Sequence, residues 1–178
     1  MKLVEKLIQN RILSKEEFVE LLANTDAEDR EILRKEAVRL REKYYGHDVY
    51  IRGLIEFTNY CRNNCYYCGI RRDNRHLERY RLTKEEILSC CESGYRLGYR
   101  TFVLQGGDDP WFNDDRMEDI VRSIRTAYPD CAITLSVGER SRESYQRLKE
   151  AGADRYLLRH ETANEAHYRK LHPEGMSL

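Results

Sequence analysis

Apolar positions along the chain follow two different periods, and the change between them divides it. Through about residue 45 they recur at helical spacing: Ser14-x-x-Glu17 forms a capping box, followed by Phe18, Leu21 and Leu22 on one face. Ile32, Leu33, Ala37 and Leu40 mark a second amphipathic helix that ends near Gly46. From Val49 onward, short apolar runs alternate with capped helices, as successive βα units of a parallel sheet require. The runs are Val49 to Phe57, Thr101 to Gln105, Ala132 to Val137 and Tyr156 to Glu161. Helices are predicted to open at Thr83-x-x-Glu86, near Asp114, at Ser141 and at Thr162-x-x-Glu165. The expected division is a helical extension over residues 1–45 and an α/β core over 46–178.

A weak internal repeat supports the βα reading. Leu97-Gly98-Tyr99-Arg100-Thr101-Phe102-Val103-Leu104 aligns with Ala151-Gly152-Ala153-Asp154-Arg155-Tyr156-Leu157-Leu158, each a helix end, a glycine stop and a strand. An open doubly wound sheet and a (β/α) barrel both fit such a series. About four strands are visible, whereas a closed barrel takes eight in roughly 250 residues, so the chain reads as half a barrel. The stretch from His172 to Leu178 is turn-like and closes no sheet. A half sheet leaves an unpaired edge, and self-association is expected of it.

Composition narrows the function classes. The 178 residues suffice for one core, and 31 basic residues balance 31 acidic ones. No net field draws the chain to nucleic acid or to an anionic membrane, which favours small-molecule work. The N-terminal MKLVEKLIQNRIL is interrupted by Glu5, Lys6, Gln9 and Asn10, unlike a signal peptide, and no run is long enough to span a bilayer. Six cysteines without a secretion signal point to a reducing cytoplasm, with clustered thiols as metal ligands.

Three of those thiols lie in Cys61-Arg-Asn-Asn-Cys65-Tyr-Tyr-Cys68, just after the first predicted strand, at the end of a barrel strand where active sites sit. Thiolates so spaced can wrap one face of an iron-sulfur cube and leave the fourth iron open. Zinc, with His76 or His47 as a fourth ligand, is the alternative. Cys90, Cys91 and Cys131 read as small buried residues. Gln105-Gly106-Gly107-Asp108 follows a strand, and its glycines let backbone carbonyls approach a ligand closely. In the third run Ile133, Leu135 and Val137 share one face, and Thr134 and Ser136 the other, as a helix-covered outside and a polar lumen require. Strand alternation likewise puts Arg159 and Glu161 on one face, either as a structural ion pair or as site residues. The basic run Arg71, Arg72, Arg75, Arg79 and Arg81, diluted by Asp73 and Glu78, reads as a solvated or cluster-covering loop rather than a nucleic-acid patch.

Cys-x3-Cys-x2-Cys with Tyr67 before the last cysteine resembles the signature of the radical S-adenosylmethionine (SAM) superfamily. Within it, Cys68-Gly69-Ile70-Arg71-Arg72-Asp73-Asn74, Arg79-Tyr80-Arg81-Leu82-Thr83, Leu104-Gln105-Gly106-Gly107-Asp108-Asp109-Pro110, Leu135-Ser136-Val137-Gly138-Glu139 and Arg159-His160-Glu161-Thr162-Ala163-Asn164 are similar to the HydE-type maturases of FeFe hydrogenases. Methylornithine synthase and biotin synthase share the barrel and the triad.

The resemblance implies an α/β fold, the N-terminal half of a TIM-type (β/α)8 barrel behind a helical extension. It implies a 4Fe-4S cluster on Cys61, Cys65 and Cys68, whose open iron is chelated by SAM and whose electron cleaves SAM to methionine and a 5'-deoxyadenosyl radical. SAM contacts are implied at Tyr67, near the adenine, at the Gly106, Gly107 and Asp108 turn, which receives the amino group, and at Glu139 and Glu161. Asp108 stands where the pattern often has Glu, a shorter reach. Ser136 and Arg159 are implied on the substrate side, the guanidinium fork suiting a carboxylate. The implied setting is assembly of the dithiolate bridge on a small cysteine-bearing iron complex, with HydG, the GTPase scaffold HydF and a reductant such as ferredoxin or flavodoxin. A methylornithine-forming type of rearrangement and a non-enzymatic zinc or nucleic-acid module are the alternatives.

Overall fold

The structure is a computed structural model that describes residues 2–178. It divides into two units, Met1–Tyr50 and Ile51–Leu178.

The first unit is three helices: α1 (Leu3–Asn10), α2 (Lys15–Asn24) and α3 (Ala27–Tyr45). Ser14 caps α2 as its sequence requires, its hydroxyl accepting from the Glu17 amide (3.2 Å) while the Glu17 carboxylate accepts from the Ser14 amide (2.9 Å). Asp26 caps α3, and Gly46 ends it with a φ of 64°. Val4, Leu13 and Leu21 form a small core, with Leu3, Leu7, Ile8 and Leu33 against it. Of the apolar face predicted on α2, only Leu21 is buried; Phe18 and Leu22 are exposed, because a three-helix core this small covers a single row of side chains.

In the second unit, β1 (Gly53–Thr58), β2 (Thr101–Gly106), β3 (Ala132–Ser136) and β4 (Arg155–Tyr156) form one parallel sheet in the order β1-β2-β3-β4. Between and after them run α4 (Lys84–Arg96), α5 (Asp114–Ala127), α6 (Arg142–Ala151) and α7 (Glu165–Leu171). Side-chain caps fix where each helix starts: Thr83 for α4, Asn113 for α5, Ser141 for α6 and Asn164 for α7. The last lies two residues later than Thr162-x-x-Glu165 predicts, because the Thr162 hydroxyl accepts from the Asn164 amide instead (3.1 Å).

Alternation sets the two faces of the sheet. Ile55, Phe57, Phe102, Leu104, Ile133 and Leu135 point to the helices and are buried against Ile87, Met117, Ile120, Val121, Ile124 and Leu148. Each such side chain contributes about 1.5–3 kcal/mol. The other face carries a row across three strands, Glu56 beside Gln105 beside Ser136, with the Gln105 amide donating to the Glu56 carboxylate (3.3 Å). This is the face that a closed barrel turns to its lumen.

Three expectations change. The first run enters the sheet only at Gly53; Val49, Tyr50 and Ile51 are exposed. The fourth pairs only through Arg155 and Tyr156, and after the Leu157 amide bonds the Leu135 carbonyl (2.8 Å) the chain leaves β3, which itself ends at Ser136. Cys91 and Cys131 are buried as expected, but Cys90 is exposed, on the outer side of α4. Burial pushes the Cys91 thiol up to about 12, so it stays protonated and inert.

Candidate functional site

The cysteine loop leaves the C-terminal end of β1 and has neither helix nor strand through residue 74, so its backbone must find partners elsewhere. At its entry, the Asn59 side chain donates to the Glu78 carbonyl (2.7 Å) and accepts from the Tyr80 amide (2.8 Å). Beneath lies a buried carboxylate, Asp109, 2% exposed. Arg81 grips it with two bonds (2.6 and 2.9 Å), the Thr58 hydroxyl donates to it (2.8 Å), and so does the Trp111 amide (3.1 Å). The same guanidinium lies 3.8 Å from the Tyr60 ring centre. Burial alone would push the Asp109 carboxyl up; Arg81, Thr58 and the Trp111 amide together hold it below the ordinary carboxylate value.

The loop sits on the turn after β2. The Arg62 amide donates to the Asp108 carbonyl (2.9 Å), and Arg62 Nε and Asn63 Nδ2 both reach Asp108 Oδ2 (2.8 and 3.3 Å). A Cβ on Gly107 would lie 2.1 Å from the Tyr60 carbonyl oxygen, and one on Gly106 would lie 2.6 Å from Thr58 Cγ2. What approaches these glycines closely is therefore the root of the cysteine loop. Gly138, with a φ of 82°, does the same for Asp108: an added Cβ would lie 2.7 Å from its carboxyl carbon.

All three thiols of the loop are free and half-buried. Burial, then the neighbouring Cys61 and Cys68, push the Cys65 thiol up. The Tyr67 hydroxyl is pushed up by burial, then by Cys65 and Glu161, which line the same cavity. Among the described residues no three His, Cys, Asp or Glu side chains converge to hold a single ion. A cube asks for something else, one thiolate on each of three irons, and three free, half-buried thiols within one short loop suit it. His76 is exposed, and His47 in the other unit faces Glu42 at 3.5 Å.

Beside the loop opens a cavity of about 620 Å³. Cys65, Tyr67, Asp108, Glu139, Arg159 and Glu161, all singled out from sequence, line it. Cys61, Cys68, Gly106 and Gly107 lie in the loop and the turn that form its border, and Ser136 sits at the end of β3 in the polar row of the open sheet face. Arg159 and Glu161 do not share a strand face, because β4 has already ended, and no ion pair joins them among the described residues. Glu161 instead has a φ of 62°, and the Thr162 amide bonds the His160 carbonyl across it (2.6 Å). Such a positive-φ γ-turn is rare and strained for a residue with a Cβ, costing about 1–3 kcal/mol.

Sequence reasoning missed the contribution of α7. The Tyr66 amide donates to the Leu171 carbonyl (2.8 Å), tying the loop to the end of this helix. His172, 6% exposed, stacks on Tyr168 (3.8 Å, 18°) and meets the Tyr67 ring edge-on (5.5 Å, 82°), its Nδ1 paired with the Tyr168 carbonyl at 3.0 Å. The i, i+4 spacing of Tyr168 and His172 is the signal that could have found it.

A four-stranded parallel βα sheet with its thiol loop and cavity at the C-terminal ends of the strands defines an α/β protein built as the N-terminal half of a TIM-type barrel. Residues 55–176 match the family described as the radical SAM superfamily, and the chain belongs to it. It is 49% identical over 173 residues to the [FeFe] hydrogenase maturase subunit HydE of Thermotoga maritima, covering 97% of this chain and 49% of that one. To the 3-methylornithine synthase of Methanosarcina acetivorans it is 30% identical over 169 residues, covering 94% and 48%. Among solved structures, HydG, a maturase of the [FeFe]-hydrogenase, superposes with a TM-score of 0.85 at 28% identity, covering 97% of this chain and 39% of that one. The chain spans about half the length of the curated relatives it matches.

Proposed function

We propose that the chain carries the cofactor half of a radical SAM maturase of FeFe hydrogenases. The observation behind this reading is that Cys65 and Tyr67 of the thiol loop line the same cavity as Asp108, Glu139 and Glu161. Cys61, Cys65 and Cys68 would hold a 4Fe-4S cluster. Bound there, the cluster supplies the electron that cleaves SAM to methionine and a 5'-deoxyadenosyl radical.

The residues divide the work of binding. Tyr67, braced edge-on by His172, offers an aromatic surface for the adenine. The Gly106-Gly107-Asp108 turn offers an acceptor: Asp108 Oδ2 is taken by Arg62 and Asn63, while Oδ1 receives no hydrogen bond among the described residues and remains to accept from the SAM amino group. Glu139 and Glu161 add carboxylates on the same wall, and the closed turn at Glu161 fixes where its side chain starts. Arg159, with Ser136 at the polar sheet face, would meet the carboxylate of a small cysteine-bearing iron complex during assembly of the dithiolate bridge. The setting would be the cytoplasm, with HydG and HydF as fellow maturases and a ferredoxin or flavodoxin as electron donor. A methylornithine-type rearrangement is the second reading, supported by the 30% identity to that synthase.

The test is the electron paramagnetic resonance spectrum of the anaerobically reconstituted, dithionite-reduced chain, without and with SAM. A cube signal that changes on adding SAM is expected. Absence of a cube, with zinc bound instead, would overturn the reading.

A further inference from the structure

Arg79 lies outside the cavity and carries no assigned role, yet it makes the most concentrated set of contacts with the cysteine loop. Its Nη1 donates to the carbonyls of Asn59 and Ile70, the latter at 2.9 Å; its Nη2 donates to those of Arg71 (2.7 Å) and Asn74 (3.2 Å). All four bonds go to backbone oxygens. Asn59 stands before the first cysteine of the loop, and Ile70, Arg71 and Asn74 stand after the last. One guanidinium thus joins the two limbs of the segment that holds Cys61, Cys65 and Cys68.

The need for such a group follows from the loop's lack of regular structure. Backbone carbonyls outside a helix or ladder still need donors, and a planar fork of fixed donors satisfies several at once. A lysine, with one compact ammonium, cannot reach two separated limbs in the same way.

Building on the cluster reading above, we propose that Arg79 is a positioning residue for the cluster: by clasping the carbonyls of residues 59, 70, 71 and 74 it holds the three cysteines in a ligating arrangement before iron arrives. A preformed loop takes up metal without ordering itself first, and it releases metal more slowly.

The experiment compares the full chain with Arg79→Lys and Arg79→Gln. Backbone amide exchange is followed in the metal-free proteins, and iron release to a chelator is followed after anaerobic reconstitution. Expected in both variants is several-fold faster exchange confined to residues 59–74, exchange as in wild type across β1 to β3, and several-fold faster iron release. Unchanged exchange in the loop, faster exchange with undiminished iron retention, or global unfolding of both variants would each overturn the proposal, the last by making Arg79 a support of the whole fold. If the wild-type chain itself takes up no cube, the cluster reading fails, while the exchange comparison still decides whether Arg79 clasps the loop.

Discussion

The helix-covered face of the sheet and the rim at the C-terminal ends of its strands are built from the same β-strands but held by different forces. On the face, Phe102, Leu104, Ile133 and Leu135 are buried among apolar helix residues, and what holds them is area removed from water. At the rim, the loops are fixed by a few directed contacts: Arg81 on Asp109, Arg62 on Asp108, Arg79 on four carbonyls. Non-directional packing tolerates substitution by a side chain of similar size. Directed contacts do not, which suits the proposed role of this loop in holding three cysteine ligands in place.

The sharpest break between the two regions is expected from Cys65→Ala. It should abolish the cluster while leaving helix content nearly intact; iron analysis and far-ultraviolet circular dichroism read the two separately, and a full 4Fe-4S signal would sink the ligand assignment. Leu104→Ala should do the reverse, lowering unfolding stability by about 2–5 kcal/mol in denaturant titrations. Gly138→Ala, at a positive φ and against the Asp108 carboxyl, should cost about 1–3 kcal/mol and loosen Arg62 as well.

Acid should weaken the rim in a defined window. The Asp109 carboxyl is held low in the folded chain, so its contribution is complete above its unfolded value of about 3.9 and is lost as pH falls through the lowered folded value. Asp109→Asn should flatten the stability profile in that range, as thermal melts across pH would show. The smallest effect, opposite in sign, is expected from Glu161→Gly. Relief of the positive-φ backbone should slightly exceed the entropy cost of glycine, raising stability by no more than about 1 kcal/mol while SAM affinity falls.

What sequence made legible was local. The Thr83 and Glu86 pair, the Ser141 cap and the alternation of Ile133, Leu135 and Val137 are each decided by neighbours a few positions away, and the structure keeps all three. The cysteine spacing was legible for the same reason. The end of β4 was not, because its apolar run continues past the last β3 residue able to pair with it. Nor was the turn at Glu161, where a residue that rarely takes positive φ does so. Arg79 was visible only as one member of a basic run; that its partners would be carbonyls on both limbs of a loop is a fact of three dimensions.

Asp108 gives the rim a thermodynamic property of its own. One oxygen of a single carboxylate anchors the cysteine loop through Arg62 and Asn63, the other receives no hydrogen bond among the described residues, and the residue lines the cavity. Both draw on one negative charge, so a cation arriving at Oδ1 weakens the hold of Arg62 at Oδ2. By linkage, a loosened loop raises the affinity at Oδ1 by the same factor. Ligand binding and loop order are thereby two readings of one free energy.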